Sequence, residues 1–199
     1  MWSLFQGLQY RKPAKAAAAA LYACIVERSR TPHFYRDLGV PDTISGRFDH
    51  LMLSTFLVFE RLKALEGPMA NPIKDALWAR MINDIEQNLR AVGVSDTAIG
   101  KKVKKVVRSF YGRVDAYQSA LADVSSNEAL EQALIRNLYA GEIVEPTQLT
   151  QMAELVRKTH HALAQLPDEQ LIGGHLMWPD MDRADPRSAV EQGRAAIVA

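Results

Sequence analysis

Apolar residues recur at spacings of three and four along almost the whole chain, and no stretch of useful length alternates with the period of a strand. The pattern predicts a first helix over 15–29, stopped by Thr31-Pro32, then a short helical turn over 33–38 before Gly39 as a C-cap. Asp42 or Thr43 is the expected N-cap of the next helix, which carries Phe48, Leu51, Met52, Phe56, Leu57, Phe59 and Leu62 around so much of its circumference that it belongs at the centre of the fold. A third long helix opens near Pro72, presents Leu77, Trp78, Met81, Ile82, Ile85, Leu89 and Val92, and ends at Gly93. The fourth, from Asp96 or Ile99 to Ala122, has the clearest stripe: Val103, Val106, Val107, Phe110, Tyr111, Val114, Tyr117 and Leu121. A capping box at Ser125 and Glu128 would open a fifth helix that runs to about Tyr139 and stops at Gly141. Thr147 would cap a sixth that runs to Leu166. The expectation is an all-α fold: one bundle-like domain of about six main helices over residues 1–173, followed by a loosely held C-terminal tail over 174–199.

Composition narrows this only a little. With 199 residues, 48% of them hydrophobic and 24% charged, the chain has the profile of an ordinary globular domain large enough to bury a core. A formal net charge of +1 leaves any electrostatic specialisation to local clustering. Cys24, the one cysteine, sits in an apolar helical context and reads as an inert packed thiol in a reducing compartment. Arg11, Lys12 and Lys15 followed by the apolar run from Ala16 to Val26 imitate a signal peptide. The run, however, is weakly hydrophobic and alanine-rich, is shorter than the roughly 20 residues of a membrane span, and passes directly into Glu27 and Arg28. Without an Arg-rich, Ser-rich leader, a bacterial cytoplasmic protein is the expectation.

Catalytic patterns are largely missing. There is no phosphate-cradling glycine loop, no nucleophile elbow and no cysteine pair. His160 and His161 are adjacent and diverge by about 100° on a helix, unsuited to zinc. Asp180, Asp182 and Glu191 mimic positions of a calcium loop, but Asp185 and Pro186 stand where its turn needs other residues. No metal site and no cofactor is expected.

Two features do stand out. In KKVKKVVR the cations Lys101, Lys102, Lys104, Lys105 and Arg108 surround Val103, Val106 and Val107 without interleaved carboxylates, giving either a plain solvated face or one that attracts lipid head groups, ribosomal RNA or an acidic partner. Base-stacking aromatics are not interleaved there, which argues against sequence-specific nucleic-acid reading. The second feature is a set of charged residues beside apolar stripes: Arg47 and Asp49 next to Gly46, with Arg90, Asp96 and Arg113. Internal pairing, of Arg113 with Asp49 or with Asp96, is the expected arrangement. Gly112, inside a helix where glycine costs roughly 1 kcal/mol relative to alanine, is expected to admit another helix or chain between Tyr111 and Arg113, with Phe110 and Tyr117 packed around it.

The stretches TPHFYRDLGVPDTISGRFDHLML, NLRAVGVSD, KKVKKVVRSFYGRVDAYQSAL and ALIRNLY together resemble the ubiquinol-cytochrome c chaperone family, bacterial relatives of the mitochondrial assembly factor for cytochrome b of the bc1 complex. The resemblance covers roughly residues 21–139 and rests on FYxxLGVPDTxxGRFD and FYGRxxAY. Ser54 and Ala91 depart from the family, which often has a histidine and an acidic residue at those places. The resemblance implies an assembly chaperone rather than an enzyme, with newly made or haem-free cytochrome b as client, a small partner protein, and a place at the ribosome or peripherally at the inner membrane. It also implies Tyr35, Asp42, Arg47, Asp49, Arg90, Asp96, Phe110, Tyr111, Gly112, Arg113 and Tyr117 as residues that bind the client or keep the fold. A ribosome- or RNA-associated module acting through 101–108 is the competing reading. An enzyme acting on a quinone or lipid through the Arg and Asp residues is the weakest.

Overall fold

The computed structural model describes residues 2–179, with side chains from Tyr10 onward. Among them are eight helices: α1 (Trp2–Arg28), α2 (Pro32–Arg36), α3 (Ile44–Lys63), α4 (Ala70–Ala91), α5 (Asp96–Ala122), α6 (Glu128–Asn137), α7 (Pro146–Ala164) and α8 (Asp168–Ile172). No described residue is in a strand, so the all-α, bundle-like expectation is met. The acidic residues Asp180, Asp182 and Glu191 lie outside the described residues, as do Asp185 and Pro186.

Helix α3 sits at the centre and packs against α1, α4, α5 and α7. Its run from Met52 to Val58 is buried without interruption, as a helix apolar on most sides should be. Thr43 begins it by accepting a hydrogen bond from the Gly46 N–H at 3.0 Å. Helix α1 packs along α4 through Ala14, Ala17, Ala18, Leu21, Tyr22 and Ile25, all buried, and Tyr22 donates to Asp84 Oδ2 at 2.8 Å. It begins before the expected Lys15 because Pro13 is accommodated inside it; losing one backbone donor does not end this helix.

Three local expectations fail for identifiable reasons. Ser125 does not form a capping box; its hydroxyl turns back to Asp123 Oδ1 at 2.6 Å, and α6 starts after Asn127 with no side-chain cap. The 123–127 turn is held from across the bundle instead. Arg157 of α7 donates to the carbonyls of Asp123 at 2.6 Å and Ser126 at 2.7 Å and to Asn127 Oδ1 at 2.6 Å. Thr147 is not a cap either, because Pro146 occupies the first helical turn and Glu145 the N-cap position. Finally, the chain beyond Gly173 is not loosely held over its described part. Gly174, at φ +76°, passes so close to α1 that a Cβ would stand 2.9 Å from Ala20 Cβ and 3.0 Å from Ala17 Cα. That close approach brings Leu176 and Trp178 into the core, where the Trp178 indole donates to the Cys24 carbonyl at 3.1 Å.

A polar seam runs through this core. His50, Ser54, Leu57 and Arg61 recur on one stripe of α3, and all are buried. Arg61 pairs with Asp168 and donates to the Leu166 carbonyl at 2.6 Å, fastening α3 to the α7–α8 turn. Arg28, buried in the same core, lies over Phe34 at 5.0 Å and over Trp178 at 4.3 Å and reaches Thr159 Oγ1 at 3.3 Å. His50 is fully buried, with Nδ1 3.4 Å from the Tyr35 hydroxyl. Burial, and then the Arg28 charge, hold its imidazole well below the usual histidine range, so it is neutral in the fold.

That neutrality gives a pH dependence with a definite sign. The unfolded chain takes up a proton at His50 below about pH 6.5 and the native chain does not, so stability is present above that value and is lost as pH falls. Denaturant titrations at pH 7 and pH 5 should show the wild type losing about 1–2 kcal/mol more than His50→Gln over this interval. Parallel losses in the two proteins would remove His50 as the cause.

Candidate client-binding surface

The sixteen residues singled out from the sequence fall into four places. Tyr35, Asp42, Arg47 and Asp49 gather where α2 meets the start of α3, and Arg113 reaches this end from α5. The Tyr35 hydroxyl donates to the Ser29 carbonyl, and the Arg47 guanidinium lies over its ring, 4.8 Å from the centroid. Burial raises the Tyr35 phenol above its ordinary value against the opposing pull of Arg47. Arg47 Nε donates to Asp42 Oδ1 at 2.7 Å, an ion pair whose side chains are 48% and 58% exposed. Gly46 explains itself here: a Cβ would stand 2.1 Å from the Pro41 carbonyl oxygen, so only glycine lets the 41–43 turn close onto α3.

Between the two partners that the sequence left open for Arg113, the fold selects Asp49. Arg113 Nη2 donates to Asp49 Oδ1, its Nη1 to Ser109 Oγ, and its Nε to the Asn137 carbonyl at 3.4 Å. The two side chains are 15% and 8% exposed, so this is a buried pair joining α3, α5 and the end of α6. Desolvation outweighs the guanidinium at Asp49 and moves its carboxyl above the usual carboxylate value.

Arg90 and Asp96 form the second place, across the turn between α4 and α5. Arg90 Nε lies 3.3 Å from Asp96 Oδ1, and its Nη1 lies 3.6 Å from Glu86 Oε2. Asp96 is 86% exposed, so this bridge is a surface pair of small energetic weight.

The third place is aromatic. Phe110 is buried against Phe59 at 6.1 Å and Trp78 at 5.5 Å, while Tyr111, 58% exposed, stacks on the same Trp78 at 5.9 Å. Tyr117 is fully buried beside Phe56 at 5.3 Å, and burial raises its phenol strongly. Gly112 does not pack between Phe110 and Tyr117, which face the core while Gly112 faces outward. It is exposed, with nothing within 4 Å of where a Cβ would stand. No helix among the described residues uses the space that this glycine leaves.

Lys101, Lys102, Lys104, Lys105 and Arg108 make the fourth place, all exposed on α5. None of them is within ion-pair distance of an acid among the described residues. Lys101, Lys105, Arg108 and Gly112 share one stripe of that helix.

Sequence reasoning missed the Phe59–Trp78–Tyr111 patch, because Phe59 and Trp78 read as core residues and a stripe of spacings does not say where the core stops. It also missed Arg28, whose signal was present: Arg28 continues the Leu21 and Ile25 stripe of α1, a cation at a core position.

Two pairs of variants test these assignments. Gly46→Ala should lose about 1–3 kcal/mol through overpacking against Pro41, whereas Gly112→Ala should gain up to about 1 kcal/mol by helix propensity alone, both read by thermal or denaturant unfolding. Arg113→Met should cost about 3–5 kcal/mol by stranding the Asp49 carboxylate, and Arg113→Met with Asp49→Leu should recover most of it. The same operation on Arg47 and Asp42 should stay within about 1 kcal/mol.

A profile of the family described as "Ubiquinol-cytochrome C chaperone" matches residues 36–178, which extends the resemblance seen in the sequence from Tyr139 to Trp178. The ubiquinol-cytochrome-c reductase complex assembly factor 1 of Xenopus laevis is 27% identical over 186 residues, covering 92% of each chain. The mouse protein of that name is 26% identical over 92% of this chain and 62% of its own length. The crystal structure of the Cbp3 homolog from Brucella abortus superposes with a TM-score of 0.76 at 33% identity, covering 92% of this chain and 99% of that one. With its profile matched through the docked Trp178 and its fold shared with a relative, this chain belongs to the ubiquinol-cytochrome C chaperone family.

Proposed function

We propose that this protein is an assembly chaperone of the ubiquinol-cytochrome c reductase complex and that its client is newly made cytochrome b. The observation that carries the reading is membership of the chaperone family over 36–178. The geometry is consistent with holding rather than converting: Arg47, Arg90 and Arg113 are each paired with an aspartate, and the exposed Tyr111 is backed by Trp78.

Within this reading the eleven candidate residues divide by exposure. Asp49, Phe110 and Tyr117 are buried and act by keeping the fold, as does Arg113 through Asp49. Tyr35, Asp42 and Arg47 close the α2–α3 end, and Arg90 with Asp96 closes the α4–α5 turn. Tyr111 and Gly112 remain as the positions that meet the client: an exposed ring backed by Trp78, beside a backbone that nothing covers. An apolar helix of an unassembled membrane protein fits that pairing, since an aromatic supplies contact area and a glycine lets a second backbone come close. No helix among the described residues is long and apolar enough to cross a membrane.

Affinity capture of the tagged protein from gently solubilised membranes, read by mass spectrometry, should enrich cytochrome b over equally abundant membrane proteins. Gly112→Leu should match or exceed wild-type thermal stability, because its side chain meets open space and leucine is the better helix former, and should lower that capture several-fold. Undiminished capture by Gly112→Leu would move the client contact elsewhere, and absence of cytochrome b from the wild-type capture would overturn the client.

A further inference from the structure

We infer that the outer face of α5 is a docking surface for a bilayer carrying anionic lipids, independent of the client contact at Tyr111 and Gly112. Lys101, Lys102, Lys104, Lys105 and Arg108 are all exposed, and no carboxylate among the described residues lies within ion-pair distance of them. Five cations within two helical turns repel one another, a cost that a sheet of fixed negative charge relieves.

The helix that presents them is anchored in the core farther along. Phe110, Tyr117, Ala120 and Leu121 of α5 are buried and Arg113 ties it to α3, so the cations belong to a docked helix, fanned over about 160° of its outer side. From Lys101 to Arg108 the cations extend about 10 Å along the helix axis.

Two features favour a bilayer over RNA or an acidic protein. Four of the five cations are lysines, compact point charges suited to a diffuse anionic surface, where arginine would supply the planar forks that grip single phosphates. No aromatic lies among the five to stack on a base.

The test is flotation of the purified full-length chain with vesicles of phosphatidylcholine alone and of three parts phosphatidylcholine to one part phosphatidylglycerol. Wild type should float with the anionic vesicles, stay behind with the neutral ones, and be released by high salt. Replacing the four lysines together by glutamine should lower the partition coefficient by about a thousandfold, from about 1 kcal/mol per lysine at the surface, while the matching arginine variant should bind as wild type does. Thermal melts of both variants should be unchanged, since these side chains are exposed. Equal binding to neutral and anionic vesicles, or full binding by the glutamine variant, overturns the proposal. So does failure to float with the anionic vesicles; salt-sensitive sedimentation on ribosomes in that case assigns the row to RNA. Capture of cytochrome b in detergent, without a bilayer, reports on the client reading separately.

Discussion

Helix α3 is enclosed by its neighbours, and it still carries an aspartate, a histidine and an arginine. Burying such groups is costly unless each finds a partner, so the partners decide where the surrounding helices can sit. Asp49 is answered by Arg113 and fixes α5; Arg61 is answered by Asp168 and the Leu166 carbonyl and fixes the end of α7 and α8. His50 is held neutral beside Tyr35 and fixes α2. These pairings add directional constraints that apolar packing lacks, at the cost of sensitivity to acid and to loss of any single partner.

The same logic accounts for the odd motif around residues 34–49. Pro41 can lie against α3 only because residue 46 has no Cβ, and Thr43 then caps the helix that Gly46 has allowed to start. Asp42 and Arg47 bridge the resulting turn, with the guanidinium resting on Tyr35. The motif is therefore a device for turning the chain sharply into its central helix. Gly46, Thr43, Asp42 and Arg47 all take part in closing that turn.

Much of this was legible in the sequence, because helix existence follows from periodicity and Gly39 and Gly93 both adopt the left-handed conformations that end helices. What was not legible depended on distant chain. Ser125 looked like a cap, but Arg157, thirty residues on, holds the turn by its carbonyls. The segment after Gly173 looked loose because nothing local binds it, yet the alanine face of α1 leaves room for Gly174 and so for Trp178 on Arg28. Gly112 was legible as a glycine that admits something; that nothing among the described residues uses the opening could be known only once the other helices were placed.

On these two proposals, helix α5 carries two outward functions. Tyr111 lies seven residues from Lys104, two turns and about 10 Å along the same side, so a client segment at the aromatic patch and a bilayer at the lysine row would lie side by side. A membrane protein's apolar helix is most exposed to aggregation in the interval between synthesis and insertion. A holder that grips it within a head-group's reach of the bilayer shortens that interval without needing to span the membrane itself. On these proposals the charge on α5 and the missing side chain at Gly112 serve one physical end: keeping apolar surface covered while keeping it close to where it must go.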